Sequence, residues 1–217
     1  MKGLAILAIT LCVHCHANSD PLSVLNPGFE SHVIPPGAVT NHGEGLDHWV
    51  AGPGEEVGVA NISNFADFPQ GAPGGANVAY SRAAAISQLL PHAVVPGATY
   101  TLSVKVGNHP CCAFAGYGVQ LVAAGVVLAE DANFISVPPA SFETAFASYA
   151  SPEGDPLAGE LLEIKLLSLG AEVVFDDVRL MENAETYPDW ESLDQDETAF
   201  RTGANMVFDT ARNVAVT

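Results

Sequence analysis

Between residues 98 and 106 apolar and polar side chains alternate: Tyr100, Leu102, Val104 and Val106 point one way, Thr99, Thr101, Ser103 and Lys105 the other. A period of two is the mark of a strand with one face buried and one face wet. Pro96-Gly97, just before it, is a turn signal. The same alternation returns at Tyr117, Val119 and Leu121, and at Leu162, Ile164 and Leu166. It is less clean over residues 142–148, and an apolar run from Val173 to Leu180 closes the series. Earlier candidates are residues 56–62, 77–81 and 85–90. Ala83–Ala85 also fits a helix, but the Gly-rich turns and Pro91 around it favour a strand. Many short strands, with no amphipathic helical window between them, predict an all-β chain. The expected architecture is an antiparallel β-sandwich or barrel. Gly71-Ala72-Pro73-Gly74-Gly75 is a loop rather than a phosphate cradle, because no helical pattern follows it.

Composition agrees with that pattern. Apolar residues make up 48% of the 217, enough for a full core, and the 20 Gly and 15 Pro fall without a period, as turn residues do. The two ends differ from the middle. Lys2 followed by the short apolar run Gly3–Val13 and small Ala17 reads as a signal peptide over residues 1–17. The run is too short to span a bilayer, so the expected destination is secretion or the cell surface without a transmembrane segment. The main domain is read as residues 22–181. After it, residues 182–217 carry eight acidic and two basic side chains and read as an acidic extension, partly disordered or with a short helix near residues 189–200.

Charge narrows the partners. Seven Lys plus Arg against 25 Asp plus Glu leave a net charge of −18. Such a surface repels phosphate backbones and so excludes nucleic acid as a natural partner. Outside the signal only Cys111 and Cys112 remain, adjacent in sequence. The options are a vicinal disulfide, a bridge between chains that would promote self-assembly, or two thiols. His109-Pro110-Cys111-Cys112 also has the composition of a soft-metal cluster, although zinc ligands usually come from spaced pairs.

The last strand holds a carboxylate in an apolar run. Asp176 shares parity with Val174, Val178 and Leu180, and Arg179 points the other way. A lone buried charge must be paired, protonated or bound to metal. Asn26-Pro27-Gly28-Phe29-Glu30 lies near the first strand, which in a sandwich is commonly beside the last. Glu30 and Asp176 are therefore candidate ligands of one calcium ion, with Asp177 the alternative if the register is shifted by one. The competing reading is that these acids cap turns or accept backbone N–H groups without a metal.

Five short segments occur in a telling order: Asn26-Pro27-Gly28-Phe29-Glu30, Leu46-Asp47-His48-Trp49, Ile86-Ser87-Gln88-Leu89-Leu90, Pro96-Gly97-Ala98-Thr99-Tyr100-Thr101-Leu102, and Val174-Phe175-Asp176-Asp177-Val178-Arg179-Leu180. Together they resemble the galactose-binding-like jelly roll of carbohydrate-binding modules of the family 4/9 type, as found in exported bacterial surface proteins. The resemblance implies a non-catalytic jelly roll, a structural Ca2+ held by Glu30 and Asp176, and a core role for Trp49. A neutral glycan or cell-surface polymer is then the expected ligand. Its aromatic platforms would come from Tyr80, Phe114, Tyr117, Phe134 and Tyr149, with Gln88 and Gln120 as polar partners. The loop 108–118, with Phe114 and Tyr117, is the expected binding edge.

No enzymatic signature stands against that expectation. There is no Gly-x-Ser-x-Gly elbow and no His-Glu-x-x-His. A hydrolase with two facing carboxylates is the weaker enzymatic reading. The other alternative is a structural or assembly protein of the extracellular matrix or cell surface with no sugar site.

Overall fold

The computed structural model describes residues 18–54, 56–184, 207–209 and 214–216. Thirteen strands run in chain order: β1 (Asn18–Leu22), β2 (Val50–Ala51), β3 (Glu56–Asn61), β4 (Asn77–Arg82), β5 (Ala85–Ala93), β6 (Ala98–Asn108), β7 (Tyr117–Ala123), β8 (Val126–Asp131), β9 (Ser141–Ala150), β10 (Leu161–Ser168), β11 (Glu172–Ala184), β12 (Val207–Asp209) and β13 (Val214–Val216). One antiparallel sheet has the order β3-β4-β11-β6-β9, with β1 added along the far end of β11. The other has the order β2-β5-β10-β7-β8. The two sheets form the expected all-β jelly-roll sandwich. Strands β12 and β13 pair only with each other, as a separate antiparallel unit. The proposed signal peptide and most of the acidic extension, with the short helix expected near residues 189–200, lie outside the described residues. Among the described residues no helix is long and apolar enough to cross a membrane.

Strand alternation decides what lies between the sheets. Tyr100, Leu102, Val104 and Val106 of β6 are fully buried there, facing Tyr117, Val119 and Leu121 of β7 and Leu162, Ile164 and Leu166 of β10. Phe29 and Trp49 join this core from the first loop, their ring centroids 5.3 Å apart. The Trp49 indole N–H donates to the Asn26 carbonyl, so this residue is a core member as expected. Burying each large side chain contributes about 1.5–3 kcal/mol.

Two local features depart from simple alternation. Strand β5 continues through Pro91, which has no N–H to give, and the pairing with β10 shifts register between Leu161 and Glu163, opposite it. In β11 the pairing with β6 skips between Asp176 and Arg179, and Asp177 has φ +46°. This bulge reverses the parity of the strand. Val173 and Phe175 before it, and Val178 and Leu180 after it, all face the main core. Val174 and Asp176 face the opposite side, so the expectation that Asp176 shares a face with Val178 and Leu180 is corrected.

That opposite side is covered too. The β3–β4 loop, residues 62–76, folds over the outer face of the first sheet. Its Phe68 packs with Ile62, Val78, Tyr80 and Val174 in a second small core. The outer face of β3, β4 and β11 is therefore roofed at one end by a loop and open at the other.

Candidate functional site

The open end of this roofed face is a cavity of about 420 Å³. Strand register builds its floor. Glu56 of β3 and Glu172 of β11 both stand directly opposite Arg82 of the intervening β4. The three side chains thus lie in a row across three strands. Arg82 Nη1 is 2.7 Å from Glu56 Oε2, and Nη2 is 2.6 Å from Glu172 Oε2. The guanidinium lies 5.7 Å from the Tyr80 ring centroid. On the other side of β11, Val174 pairs with Gly107 of β6, so continuing antiparallel brings His109 beside Glu172. His109 Nδ1 is 2.8 Å from Glu172 Oε1, and Nε2 is 3.4 Å from Asp67 Oδ2 of the roofing loop. Neither approach lies along a ring N–H direction, so both buried imidazole nitrogens lack a true hydrogen bond.

Aromatic faces complete the walls. Phe65, 6.5 Å from the His109 ring, lines the cavity together with Tyr80, while Phe68, buried in the second small core, stacks on the imidazole at 5.6 Å from behind. The Tyr80 hydroxyl donates 2.6 Å to the Thr40 carbonyl, which ties the first loop to the cavity rim. Gly58 stands opposite Tyr80 in β3, and a side chain there would strike both the Tyr80 ring and the Thr40 carbonyl. The cavity therefore combines flat apolar surface with one charged, water-poor corner.

The electrostatics of that corner follow from its pairing. Burial raises the Glu172 carboxyl, but the His109 and Arg82 contacts outweigh it and leave its pKa below the ordinary value. The Glu172 carboxylate beside His109 raises the imidazole pKa against the opposing effect of burial, with Asp67 adding to the rise. Burial, with the Glu56 charge, pushes the Tyr80 phenol up to about 12. The corner is thus a carboxylate–imidazole pair able to give and take a proton next to apolar walls.

The sites expected from sequence lie elsewhere. Gln88 is buried and bonds both the N–H and the carbonyl of Leu25, fastening the first loop to β5. Tyr117 is fully buried, its hydroxyl donating 2.7 Å to Asp131. Phe114 packs on the main core beside it, and Gln120 bonds Glu130. None of the four lines the 420 Å³ cavity, and the structure does not gather them into a sugar cleft. Tyr80 alone of the proposed platforms lines this cavity. Cys111 and Cys112 are joined as a vicinal disulfide. Glu56, Asp67, Arg82, His109 and Glu172 were not found as a site from the sequence, because they come together only through register.

Glu30 and Asp176 do come together. Both flank Gly28, where an added Cβ would stand 3.5 Å from Asp176 Oδ1 and 3.8 Å from the Glu30 Cγ. Gly74 N–H donates to Asp176 Oδ2, while Ala76 and Asn77 N–H groups donate to Glu30 Oε1. Asp176 is 0% exposed, and among the described residues no basic side chain pairs with it. Burial raises its pKa to about 7, with the Asp177 and Glu30 charges pushing the same way. An oxygen-only donor set with excess negative charge fits a hard cation. Asp177 is turned to Arg179 instead, 2.9 Å away, so the alternative ligand is spoken for.

A second potential ligand group has a different donor set: the cavity residues His109 and Glu172 and the exposed Cys111 beside them offer ligand atoms within 4.8 Å of one another.

The family model described as HpiC1-like, HpiC1 cyclase, matches residues 20–181. A Stig cyclase, Fisc, from Fischerella sp. TAU, in complex with (3Z)-3-(1-methyl-2-pyrrolidinylidene)-3H-indole, is 27% identical with TM-score 0.69, covering 77% of this chain and 100% of that one. A cyclase from Fischerella sp. TAU in complex with 4-(1H-indol-3-yl)butan-2-one is 27% identical with TM-score 0.66 over 77% and 100% of the two chains. An arabinose-bound α-L-arabinofuranosidase shares the fold alone, at 15% identity and TM-score 0.52 over 78% of this chain and 27% of that one. No curated protein matches the chain.

These matches overturn the functional expectation. The jelly roll stands, but the family is one of cyclases, so a non-catalytic carbohydrate-binding module and a purely structural assembly protein are both set aside. A chain without an enzymatic role is likewise set aside. The relatives hold small indoles where a glycan or cell-surface polymer was expected. The physical reason is visible in the cavity. It is bounded and sized for a small molecule, and most of the side chains assigned to sugar stacking are core or staple residues.

Proposed function

Because this chain belongs to the HpiC1-like cyclase family, we propose that it closes a ring in a small aromatic, indole-like substrate held in the 420 Å³ cavity. The observation that carries this reading is the Glu172–His109 pair at 2.8 Å, buried at the edge of an aromatic-walled cavity. Tyr80 and Phe65 offer faces for an aromatic substrate, and their water exclusion suits a reaction in which charge develops on carbon. The Glu172–His109 pair can pass a proton to the substrate and recover it when the ring has closed, so no net acid is consumed. Arg82, fixed between Glu56 and Glu172, holds the carboxylate in place and keeps its second oxygen occupied.

The test is an isomerisation assay. Indoles bearing unsaturated side chains are incubated with the purified protein, and products of unchanged mass and altered retention are sought. A cyclised isomer that Glu172→Gln fails to make supports the reading. Absence of any isomer, together with no binding of 4-(1H-indol-3-yl)butan-2-one, overturns it.

The same proposal includes a structural calcium at Glu30 and Asp176. It is supported by the buried Asp176 carboxylate, which no basic side chain among the described residues pairs, and by the N–H groups of Gly74 and Ala76 in the loop and of Asn77 at the start of β4, which orient the two acids. Bound there, the ion would neutralise two acids and tie the first loop, the β3–β4 loop and β11 together. Export through a leader at residues 1–17, with the jelly roll at 22–181 and an acidic extension beyond, also remains part of this proposal. Mass spectrometry of the N-terminus of secreted protein checks it, and an intact Met1 in the exported form would count against it.

A further inference from the structure

We propose that the dithiol form of this protein binds a zinc ion at the charged corner of the cavity, through a His109 ring nitrogen, the Cys111 thiolate and the Glu172 carboxylate. Three observations carry this. The ligand atoms of these residues already lie within 4.8 Å of one another. Neither buried His109 nitrogen makes a well-directed hydrogen bond, although Nδ1 faces Glu172 Oε1 at 2.8 Å and Nε2 faces Asp67 Oδ2 at 3.4 Å, so both nitrogens point at anionic oxygens and a cation between them would satisfy the set better. Glu56 and Glu172 share one guanidinium, and Asp67 stands 3.4 Å from His109 Nε2, so three carboxylates meet a single permanent cation at this corner.

The geometry suits zinc in particular. Glu172 uses Oε2 for Arg82, so Oε1 is the free ligand, and it stands 2.8 Å from His109 Nδ1. Two ligands on a tetrahedral zinc with bonds of 2.0–2.1 Å lie about 3.3 Å apart, so only a small spreading is needed. A nitrogen, a sulfur and one carboxylate select zinc over calcium, which prefers oxygen alone. Three protein ligands leave a fourth position open toward the cavity, where water would sit.

In the disulfide form Cys111 has no thiolate to offer, since its sulfur is bonded to Cys112. A thiol or phosphine reductant supplies two electrons, the S–S bond breaks, and each sulfur takes up one proton. Cys111 releases that proton when the zinc–sulfur bond forms. The vicinal pair thus decides whether the corner is metal-free or metal-bound. This inference stands apart from the cyclase reading, because metal binding alone reports on it.

The experiment compares Cys112→Ser, in which Cys111 cannot form the vicinal bond, with the Cys111→Ser/Cys112→Ser double variant and with wild type. Zinc stoichiometry is measured on the full chain, and cobalt(II) is used as a spectroscopic stand-in for zinc. Cys112→Ser is expected to bind one zinc more than the double variant. Its cobalt complex should show a thiolate charge-transfer absorption that is lost in the double variant and in Cys112→Ser with His109→Ala. Wild type should gain this absorption only after reduction. Equal zinc stoichiometry in Cys112→Ser and the double variant overturns the proposal. So does an absorption that persists in the double variant, which would place the metal on Cys12 or Cys15. Circular dichroism of each variant confirms that loss of metal is not loss of fold, and Cys112→Ser carries the test if the double variant does not fold.

Discussion

Arg82 Nη2 lies 2.6 Å from Glu172 Oε2, between residues directly opposed in the ladder of β4 and β11. The Glu172 side chain is 7% exposed and that of Arg82 is 41% exposed. The pair is therefore asymmetric: the acid depends on the base more than the reverse. Replacing Arg82 by Met is expected to destabilise the protein by about 1–3 kcal/mol, between the values for an exposed pair and a fully buried one because Arg82 is partly wet. Urea unfolding measures this. An unchanged midpoint would show that His109 alone satisfies the carboxylate.

Tyr80 is expected to hold an indole through its ring face and not through its hydroxyl. Tyr80→Phe keeps the ring face and should retain binding of 4-(1H-indol-3-yl)butan-2-one within about threefold, at a stability cost of about 1 kcal/mol for the lost bond to Thr40. Gly58→Val should displace the ring and weaken the same binding by at least about tenfold. Calorimetry of the two variants distinguishes them. Equal binding by both would move the aromatic site away from this wall.

Tyr117→Phe is expected to leave indole binding untouched. It removes the donor to the buried Asp131 and should cost about 1–3 kcal/mol. A loss of ligand binding without a loss of stability would return Tyr117 to a functional role.

Tyr100 governs the alkaline limb of stability. Its hydroxyl accepts the Val95 N–H and lies 3.2 Å from Glu182, and burial raises its pKa from 10.0 to about 12. A phenol whose pKa is raised on folding contributes stability that is fully present below the unfolded value. That contribution is lost as pH rises through the folded value. Stability should therefore fall between about pH 10 and pH 12, and Tyr100→Phe should flatten that fall. Melting temperature against pH in the two proteins is the measurement.

Calcium removal is expected to lower the melting temperature. At calcium about a hundredfold above its dissociation constant the linkage is about 2.7 kcal/mol, or roughly 5–10 °C in a domain of this size. Asp176→Ala should melt at one temperature with or without chelator. A wild-type protein that melts identically in both conditions would leave Glu30 and Asp176 as turn-capping acids.

Alternation along the chain was enough to read most of the sandwich. Tyr100 to Val106 and Leu162 to Leu166 announce their buried faces because side-chain direction in a strand depends only on parity. The buried acid on the last strand was legible from composition rather than parity, since a carboxylate inside an apolar run has few ways to be satisfied; the face it occupies was not. Strand β8 was not legible, because Val126 and Val127 are both about half exposed and do not alternate.

The charged corner was beyond such reasoning. Glu56 and Glu172 lie 26 and 90 residues from Arg82, and nothing local links the three. Parity says which way each points, but the register between strands says which becomes its neighbour. Register is set by turns, bulges and packing over the whole sheet. The bulge at Asp177 shows the limit most plainly, because one extra residue reversed the faces that a strict period of two had assigned. The amino-acid sequence by itself determined an all-β chain with a buried carboxylate. Only tertiary pairing placed Glu172 between Arg82 and His109 and turned the outer face of one sheet into a cavity.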